Sequence, residues 1–478
     1  MKTLWLSLVR IGVVTGMFVA VSASAWAQSP TIEELKREME KKDRQIKELM
    51  ERMERLEKRV GAPPAAPPAV AAPAQPLATP PPTEAPKSPL KVSIGGYVKL
   101  DLQYADRDLG GSNLNFGPGS TPLGPTSGEA GQQGRFSADA RETRVNVEVS
   151  GEVQKVALTG RVQVDFYGNE DNALTNTGRV VRLREAYGRA DVPLSKDRAW
   201  YLLAGQTTST FANTDIAAPD TVDANGPAGI LGARQPQLRL GYLAPVGAES
   251  KMVFELGAQQ HSFSNFSTGN SGTTPRSATD GQGQALPLFA GKLQWMTPLF
   301  QIETAGAISR NRAIFDKAGD RGPVARRSET AWGIQVSGQV TPWEPVTIHA
   351  HYQHLDGLNR EGNGDFADVV SETPGSGVFR LRNVESDGWY AGLSLRPWTD
   401  ATVNLIYGQN AADKDVAGGL TGGTTIQRHR SVHVNLMQKF WSQWKWGIEY
   451  QRFMVDTFGP DQREGSVNFY HGGLWFFY

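Results

Sequence analysis

Residues 91–104, KVSIGGYVKLDLQY, put Val92, Ile94, Val98, Leu100, Leu102 and Tyr104 on one side of an extended chain and Ser93, Lys99, Asp101 and Gln103 on the other. Successive side chains of a strand point in opposite directions, so a two-residue period marks a strand with one apolar and one polar face. The pattern recurs. RVNVEVS (144–150) sets Val145, Val147 and Val149 against Arg144, Asn146 and Glu148. VALTGRVQVDFYG (156–168) sets Val156, Leu158, Val162, Val164 and Phe166 against Thr159, Arg161, Gln163, Asp165 and Tyr167. Segments of the same period follow near 182–187, 200–206, 237–242, 252–260, 290–296, 301–308, 332–340, 346–353, 389–395, 402–407, 431–438, 446–451 and 467–476. The total is about sixteen strands, an even number as in bacterial outer-membrane barrels.

The connections alternate in length. Long ones run near 105–139, 168–177, 209–234, 264–286, 311–328, 357–380, 410–425 and 456–464; short ones fall near Gly151, 192–196, 244–249, 297–298, 341–345, 397–400 and 441–442. A soluble sandwich has no reason to sort its connections in this way. A barrel with long external loops and short periplasmic turns does. The expected fold is all-β: a transmembrane antiparallel β-barrel of about 16 strands over residues 91–478.

Composition agrees. Lys+Arg 49 balances Asp+Glu 49, which argues against a nucleic-acid partner. The absence of cysteine removes disulfides, thiolate metal ligands and cysteine nucleophiles together. A mean hydropathy of -0.39 excludes a helical membrane bundle, whereas 52 glycines with Trp 12, Tyr 12 and Phe 19 suit twisted strands and interfacial belts.

Three segments precede the barrel. Residues 1–27 read as a signal peptide: Lys2 and Arg10 come before apolar 11–21 and the small-residue site Ala25-Trp26-Ala27. Residues 28–60 read as a coiled-coil oligomerisation helix, with Ile32, Leu35, Met39, Ile46, Leu49, Met53, Leu56 and Val60 at three- and four-residue steps and Lys42 in the remaining seam position. Thr31 and Glu34 form a capping box at its start. The seam implies oligomerisation and leaves its order open. Residues 61–90 are an Ala/Pro-rich linker, extended at about 3.1 Å per residue where it is polyproline.

The stretch HGGLWFFY (471–478) follows Tyr470 with Leu474, Phe476 and Tyr478 on the same face, which in a closed barrel meets lipid. Its order of polar residue, Gly473, Phe476 and Tyr478 resembles the C-terminal signal by which the barrel-assembly machinery recognises outer-membrane barrels for insertion.

The polar faces line a channel in a barrel of this size. They include Arg144, Arg161, Arg182, Arg184 and Arg239 with Gln163 and Gln237, diluted by Glu148, Asp165 and Glu185. Guanidinium groups stay charged and hold carboxylates in two-pronged contacts, so an arginine ring predicts a preference for anions. The same residues also fit a salt-bridge network that only stiffens the wall. The third long connection, STFANTDIAAPDTVDANGPAGILGAR (209–234), is expected to fold inward as a constriction loop. Phe211, Asp215, Asp220 and Asp223 would then face Arg161, Arg182 and Arg184; the alternative is a loop that covers an oligomer partner or stays outside. His349 and His351 share a polar face with His354 following, and REGNGDFAD (360–368) spaces oxygen ligands loosely; neither has the order of a metal site. No nucleophile elbow, phosphate loop or zinc-helix motif appears, so neither an enzyme nor a cofactor is expected.

Signal peptide, coiled coil, Pro-rich spacer and barrel in that order, with GGYVKLD (95–101), VQVDFYG (162–168), RLREAYGR (182–189), LLAGQTTSTFAN (202–213) and ARQPQLRLGY (233–242), resemble the DcaP-like porins of Gram-negative outer membranes. The resemblance implies a 16-stranded trimeric barrel, a periplasmic N-terminal coiled coil and passive uptake of small negatively charged organic acids such as dicarboxylates. The partners to expect are two further copies, the lipid bilayer with its lipopolysaccharide, and a periplasmic partner of the coiled coil. A rival reading makes the barrel a structural outer-membrane anchor whose coiled coil tethers the cell wall or another protein.

Overall fold

The computed structural model describes residues 90–107, 134–168, 180–213, 219–223, 226–247, 249–261, 267–268, 283–316, 323–362, 366, 368–372, 380–413, 426–458 and 464–478. The signal peptide, coiled coil and most of the linker expected over 1–90 lie outside the described residues, as does Asp215.

Twenty strands follow in chain order among the described residues. The first eight are β1 (Lys91–Ala105), β2 (Arg135–Asp139), β3 (Arg144–Val153), β4 (Val156–Gly168), β5 (Val180–Ser195), β6 (Arg198–Thr208), β7 (Arg234–Pro245) and β8 (Lys251–Gln259). Then come β9 (Ser267–Thr268), β10 (Gly283–Met296), β11 (Phe300–Asp316), β12 (Pro323–Trp343), β13 (Val346–Asp356), β14 (Val369–Glu372) and β15 (Arg380–Asn383). The last five are β16 (Glu385–Leu395), β17 (Ala401–Ala412), β18 (Ile426–Phe440), β19 (Trp444–Thr457) and β20 (Glu464–Phe477).

β9, β14 and β15 make a small sheet of their own, and the other strands form one sheet. In that sheet β1 pairs with β3 from Lys91↔Ser150 to Tyr97↔Arg144 and with β2 from Asp101↔Asp139 to Ala105↔Arg135. β2 and β3 are therefore two halves of one wall strand, and the wall has sixteen. β20 closes the ring on β1, in antiparallel register from Tyr97↔Phe477 to Ala105↔Phe469. Closure follows from the solvent, because hydrocarbon offers an open sheet edge no hydrogen-bond partners.

The two-residue alternation sorts side chains as the sequence implies. Val98, Leu100, Val162, Leu183, Leu202, Leu240 and Ile448 are exposed on the outside, while Lys99, Asp101, Gln163, Arg184, Arg239 and Glu449 are buried inside. Aromatic pairs frame the outer apolar band. Toward the short turns lie Trp200–Tyr242, Trp295–Phe300 and Trp444–Phe476; toward the long loops lie Tyr450–Tyr470 and Trp389–Tyr407. From Tyr470 to Tyr478 the chain advances about 27 Å along the strand. At a tilt near 40° that is about 20 Å of height, close to the apolar band of outer-membrane barrels.

Two local expectations change. The first short connection is not at Gly151, which lies within β3, but at Gln154 and Lys155, whose φ values of 51° and 70° are left-handed. A two-residue hairpin needs that geometry at both central positions, and glycine is only its commonest supplier. The expected long connection over 311–328 is mostly ladder, continuing from Asn311↔Glu329 to Asp316↔Pro323. Here Arg310, Arg312, Ser328 and Thr330 take the outward alternation in place of apolar residues; strands that project beyond lipid need no apolar face.

Val162 faces outward beside the inward Arg161. Val162→Arg is expected to cost about 2 to 4 kcal/mol if the site lies at the midplane, lowering the folded fraction in vesicle-refolding experiments read by heat-modifiable electrophoretic mobility.

Candidate functional site

The connection between β6 and β7 turns into the barrel and lies along the far wall. Hydrogen bonds from inward-facing side chains hold its backbone at intervals. Thr210 N–H donates to Gln259 Oε1 (3.1 Å), Lys292 Nζ to the Ala212 carbonyl (2.6 Å), and Ala228 N–H to Ser431 Oγ (2.8 Å). Asn404 and Asn435 both donate to the Asp220 carbonyl, at 2.9 and 3.0 Å. Near its end the loop touches the wall backbone to backbone. Gly229 has φ +83°, and a Cβ there would sit 2.7 Å from Trp389 N and Gln409 O; a Cβ on Gly408 would sit 2.2 Å from the Ala228 carbonyl. Only glycine permits that approach.

The wall formed by β3 to β5 carries the arginines. Arg182 donates through Nε (2.9 Å) and Nη2 (2.5 Å) to the two oxygens of Asp165, and Arg184 donates to Asp165 Oδ2 (2.8 Å) and to Gln163 Oε1 (2.9 Å). Arg161 pairs with Glu185 at 3.0 Å, and Arg144 lies 3.7 Å from Glu142 and over the Tyr97 ring. Arg184 is buried with Asp165, and in the other three pairs the more accessible member is the cation. Side-chain exposure is 44% for Arg182 against 0% for Asp165, 31% for Arg161 against 16% for Glu185, and 22% for Arg144 against 8% for Glu142. Water in the lumen meets guanidinium groups, with the carboxylates beneath.

The other expected residues fall in different places. Gln237 is buried and accepts from Thr210 Oγ1 (3.0 Å) and from Arg239. Arg239 also reaches Glu255 at 3.3 Å, so this pair belongs to the wall's internal network. Phe211 is fully buried in an apolar cluster with Leu231, Leu288, Leu355 and Leu358, and so does not face water in the constriction; folding the loop inward gave its one large aromatic ring a core. Asp220 is exposed and pairs with Lys445 at 2.8 Å. Asp223 is buried, and burial raises its carboxyl above the usual carboxylate range. Gly473 faces inward, whereas Phe476 and Tyr478 sit on the outward alternation.

Sequence reasoning missed Arg234, at the loop's exit into β7. It is water-accessible, lies within electrostatic reach of Arg184, Arg144 and Arg182, and has no ion-pair partner among the described residues. It also missed Arg189, which pairs with Asp191 and lies 3.8 Å from the Tyr201 ring centre. The period of β5 already contained Arg189, two steps beyond Tyr187; Arg234 sat in what read as loop. His349 and His351 face inward, toward Ser394 and Ser337, while His354 faces outward to Asp387. Alternation separates the three, and no group of three His, Cys, Asp or Glu gathers as a metal site among the described residues.

Above the lumen, the β8–β10 and β13–β16 connections are joined by a buried polar knot. His261 Nδ1 lies 2.6 Å from Glu361 Oε1, which also accepts from Gln235 (2.7 Å), and Asp368 lies 3.8 Å from His261 Nε2. Burial disfavours the imidazolium, but the hydrogen bond to Glu361 and the charges of Asp368 and Glu361 outweigh it, so His261 holds its proton to a higher pH than a free histidine.

The sequence model of the family described as DcaP outer membrane protein matches residues 22–363. No curated protein matches the sequence. Among solved structures, the outer membrane channel DcaP of Acinetobacter baumannii is 19% identical with a TM-score of 0.61, over 81% of this chain and 97% of that one. OmpT of Vibrio cholerae, folded in vitro, is 12% identical with a TM-score of 0.48, over 81% and 98%.

A raised folded-state pKa means that the stabilisation from His261 is complete below the unfolded value of about 6.5 and is lost as pH rises through the folded value. Hydrogen exchange at residues 357–362, corrected for the intrinsic rate, is therefore expected to speed up as pH is raised from acid to alkaline. His261→Ala removes that dependence.

Proposed function

The chain belongs to the DcaP outer membrane protein family, and from that premise we propose that it is a porin: a water-filled channel for passive diffusion of small, preferentially anionic solutes such as dicarboxylates. One observation carries the preference. In the pairs of Arg144, Arg161 and Arg182 the cation faces water and the carboxylate lies beneath it. A passing anion meets charged donors already fixed in a bidentate geometry, each more accessible than the carboxylate it pairs with. Arg234 adds a further cation without an ion-pair partner among the described residues. The inward loop supports the reading by narrowing the lumen toward this wall, so that solutes pass close to it.

In this reading the pore-lining residues are Arg144, Arg161, Asp165, Arg182, Arg184, Gln237 and Arg239, joined by Arg234. The described residues of the β6–β7 loop, 219–223 and 226–233, form the constriction, with Asp220 at its water-facing edge. The assembly is a homotrimer set in the lipopolysaccharide-bearing outer membrane, inserted by the barrel-assembly machinery, with the coiled coil in the periplasm.

Replacing Arg161, Arg182 and Arg184 together by Ala tests the mechanism in liposome-swelling assays. Ion-pair contacts near water are worth about 0.2–1 kcal/mol each, so losing three is expected to lower dicarboxylate uptake by roughly threefold to a hundredfold while uptake of neutral sugars changes little. Equal losses for both solutes would make these arginines wall supports.

A further inference from the structure

We propose that Lys99 and Glu449 are positioning residues that fix the width of the constriction by gripping one peptide of the inward loop from opposite sides, with a glycine-floored socket seating the side chain between them. The proposal rests on the channel reading and names the device that sets its aperture. The gripped residue is Val222. Lys99 Nζ, from β1, donates to the Val222 carbonyl at 2.6 Å. Glu449 Oε2, from β19, accepts from Val222 N–H and from Asp223 N–H, the latter at 3.1 Å. β20 runs between the two strands, pairing with both, so opposite charges pull on one loop residue across a single intervening strand.

Each grip is braced. Lys99 sits between Asp101 (2.8 Å) and Glu142, with its Nζ 4.7 Å from the Trp475 ring centre. The second oxygen of Glu449 is held by His433 Nδ1 at 2.8 Å. The Val222 side chain packs with Met437 and Trp475. Under it lie Gly447 and Gly473, paired across β19 and β20. A Cβ on Gly447 would sit 2.8 Å from Val222 Cγ2, and one on Gly473 would sit 3.0 Å from Val222 Cγ1.

The wall itself requires none of this. Its ladders are backbone hydrogen bonds, and buried ions are costly wherever an apolar or neutral residue would serve. What the two ions add is a fixed position for residues 222–223, and hence for the stretch from Asp220 that borders the lumen.

Glu449→Gln is the direct test. A glutamine loses the carboxylate's charge, so the charge-assisted hydrogen bonds from Val222 and Asp223 N–H that hold the loop are weakened. The variant is expected to show a larger and noisier single-channel conductance and to admit larger neutral polyethylene glycols, with heat-modifiable barrel mobility unchanged. Gly447→Ala fills the socket without touching a charge and is expected to shift the polymer cut-off in the same direction, which covers the case that Glu449→Gln does not fold. The chain has no cysteine, so Val222→Cys with Gly447→Cys can be added to Glu449→Gln. Oxidation should then restore wild-type conductance and reduction should remove it. Wild-type conductance, noise and polymer cut-off in both single variants would overturn the proposal, as would an oxidised staple that leaves the channel loose. Because the polymers are neutral, these outcomes do not depend on ion preference; a conducting channel without anion preference would refute the proposed selectivity and leave the clamp standing.

Discussion

Peptide groups that cannot reach water must find partners within the protein, and this constraint governs both the outside and the inside of the molecule. On the outside it demands closure. β20 returns to β1 over nine paired positions from Tyr97↔Phe477 to Ala105↔Phe469, leaving the ring without an edge for lipid to meet. On the inside it applies to the β6–β7 loop, which has entered the barrel with no strand to pair with. Among the described residues, the backbone groups of Thr210, Ala212, Asp220, Val222 and Ala228 are met by Gln259, Lys292, Asn404, Asn435, Glu449, Lys99 and Ser431. A polar inner wall is therefore needed even where it never touches solute.

The lumen is consequently two-sided. From β10 round to β1, polar side chains are spent on the loop and on one another and are almost wholly buried, as with Glu303, Gln353, Asn404, His433 and Lys99. Along β3 to β5, Arg182 and Arg161 keep 44% and 31% of their side-chain surface in water. Charge balance over the whole chain conceals this asymmetry. In the proposed channel, selectivity depends on which member of each pair is accessible, and for Arg144, Arg161 and Arg182 it is the base.

The barrel was legible in the sequence because alternation encodes it directly. Every segment with a two-residue period, from 91–104 to 467–476, became a wall strand, and the long third connection did turn inward. What escaped were features that alternation does not encode. β2 pairs with β1 across a break at 140–143 that carries Glu142 to Lys99, and no periodicity marks it. Phe211 reads as a constriction residue from its place in the inward loop, but Leu288, Leu355 and Leu358 supply it a core from elsewhere in the chain. Lys99 and Glu449 lie far apart in sequence and meet only through Val222. Gly473 read as part of an insertion signal, and its inward position over Val222 appears only once β19 and β20 are aligned.

The central claim is that the arginine wall makes an open channel whose preferred ion is the anion. Single-channel recording of the unaltered protein in planar bilayers under a potassium chloride gradient tests it most directly. The account predicts stepwise openings whose reversal potential lies toward the equilibrium potential of chloride. A silent barrel, or a reversal potential toward that of potassium, would contradict it.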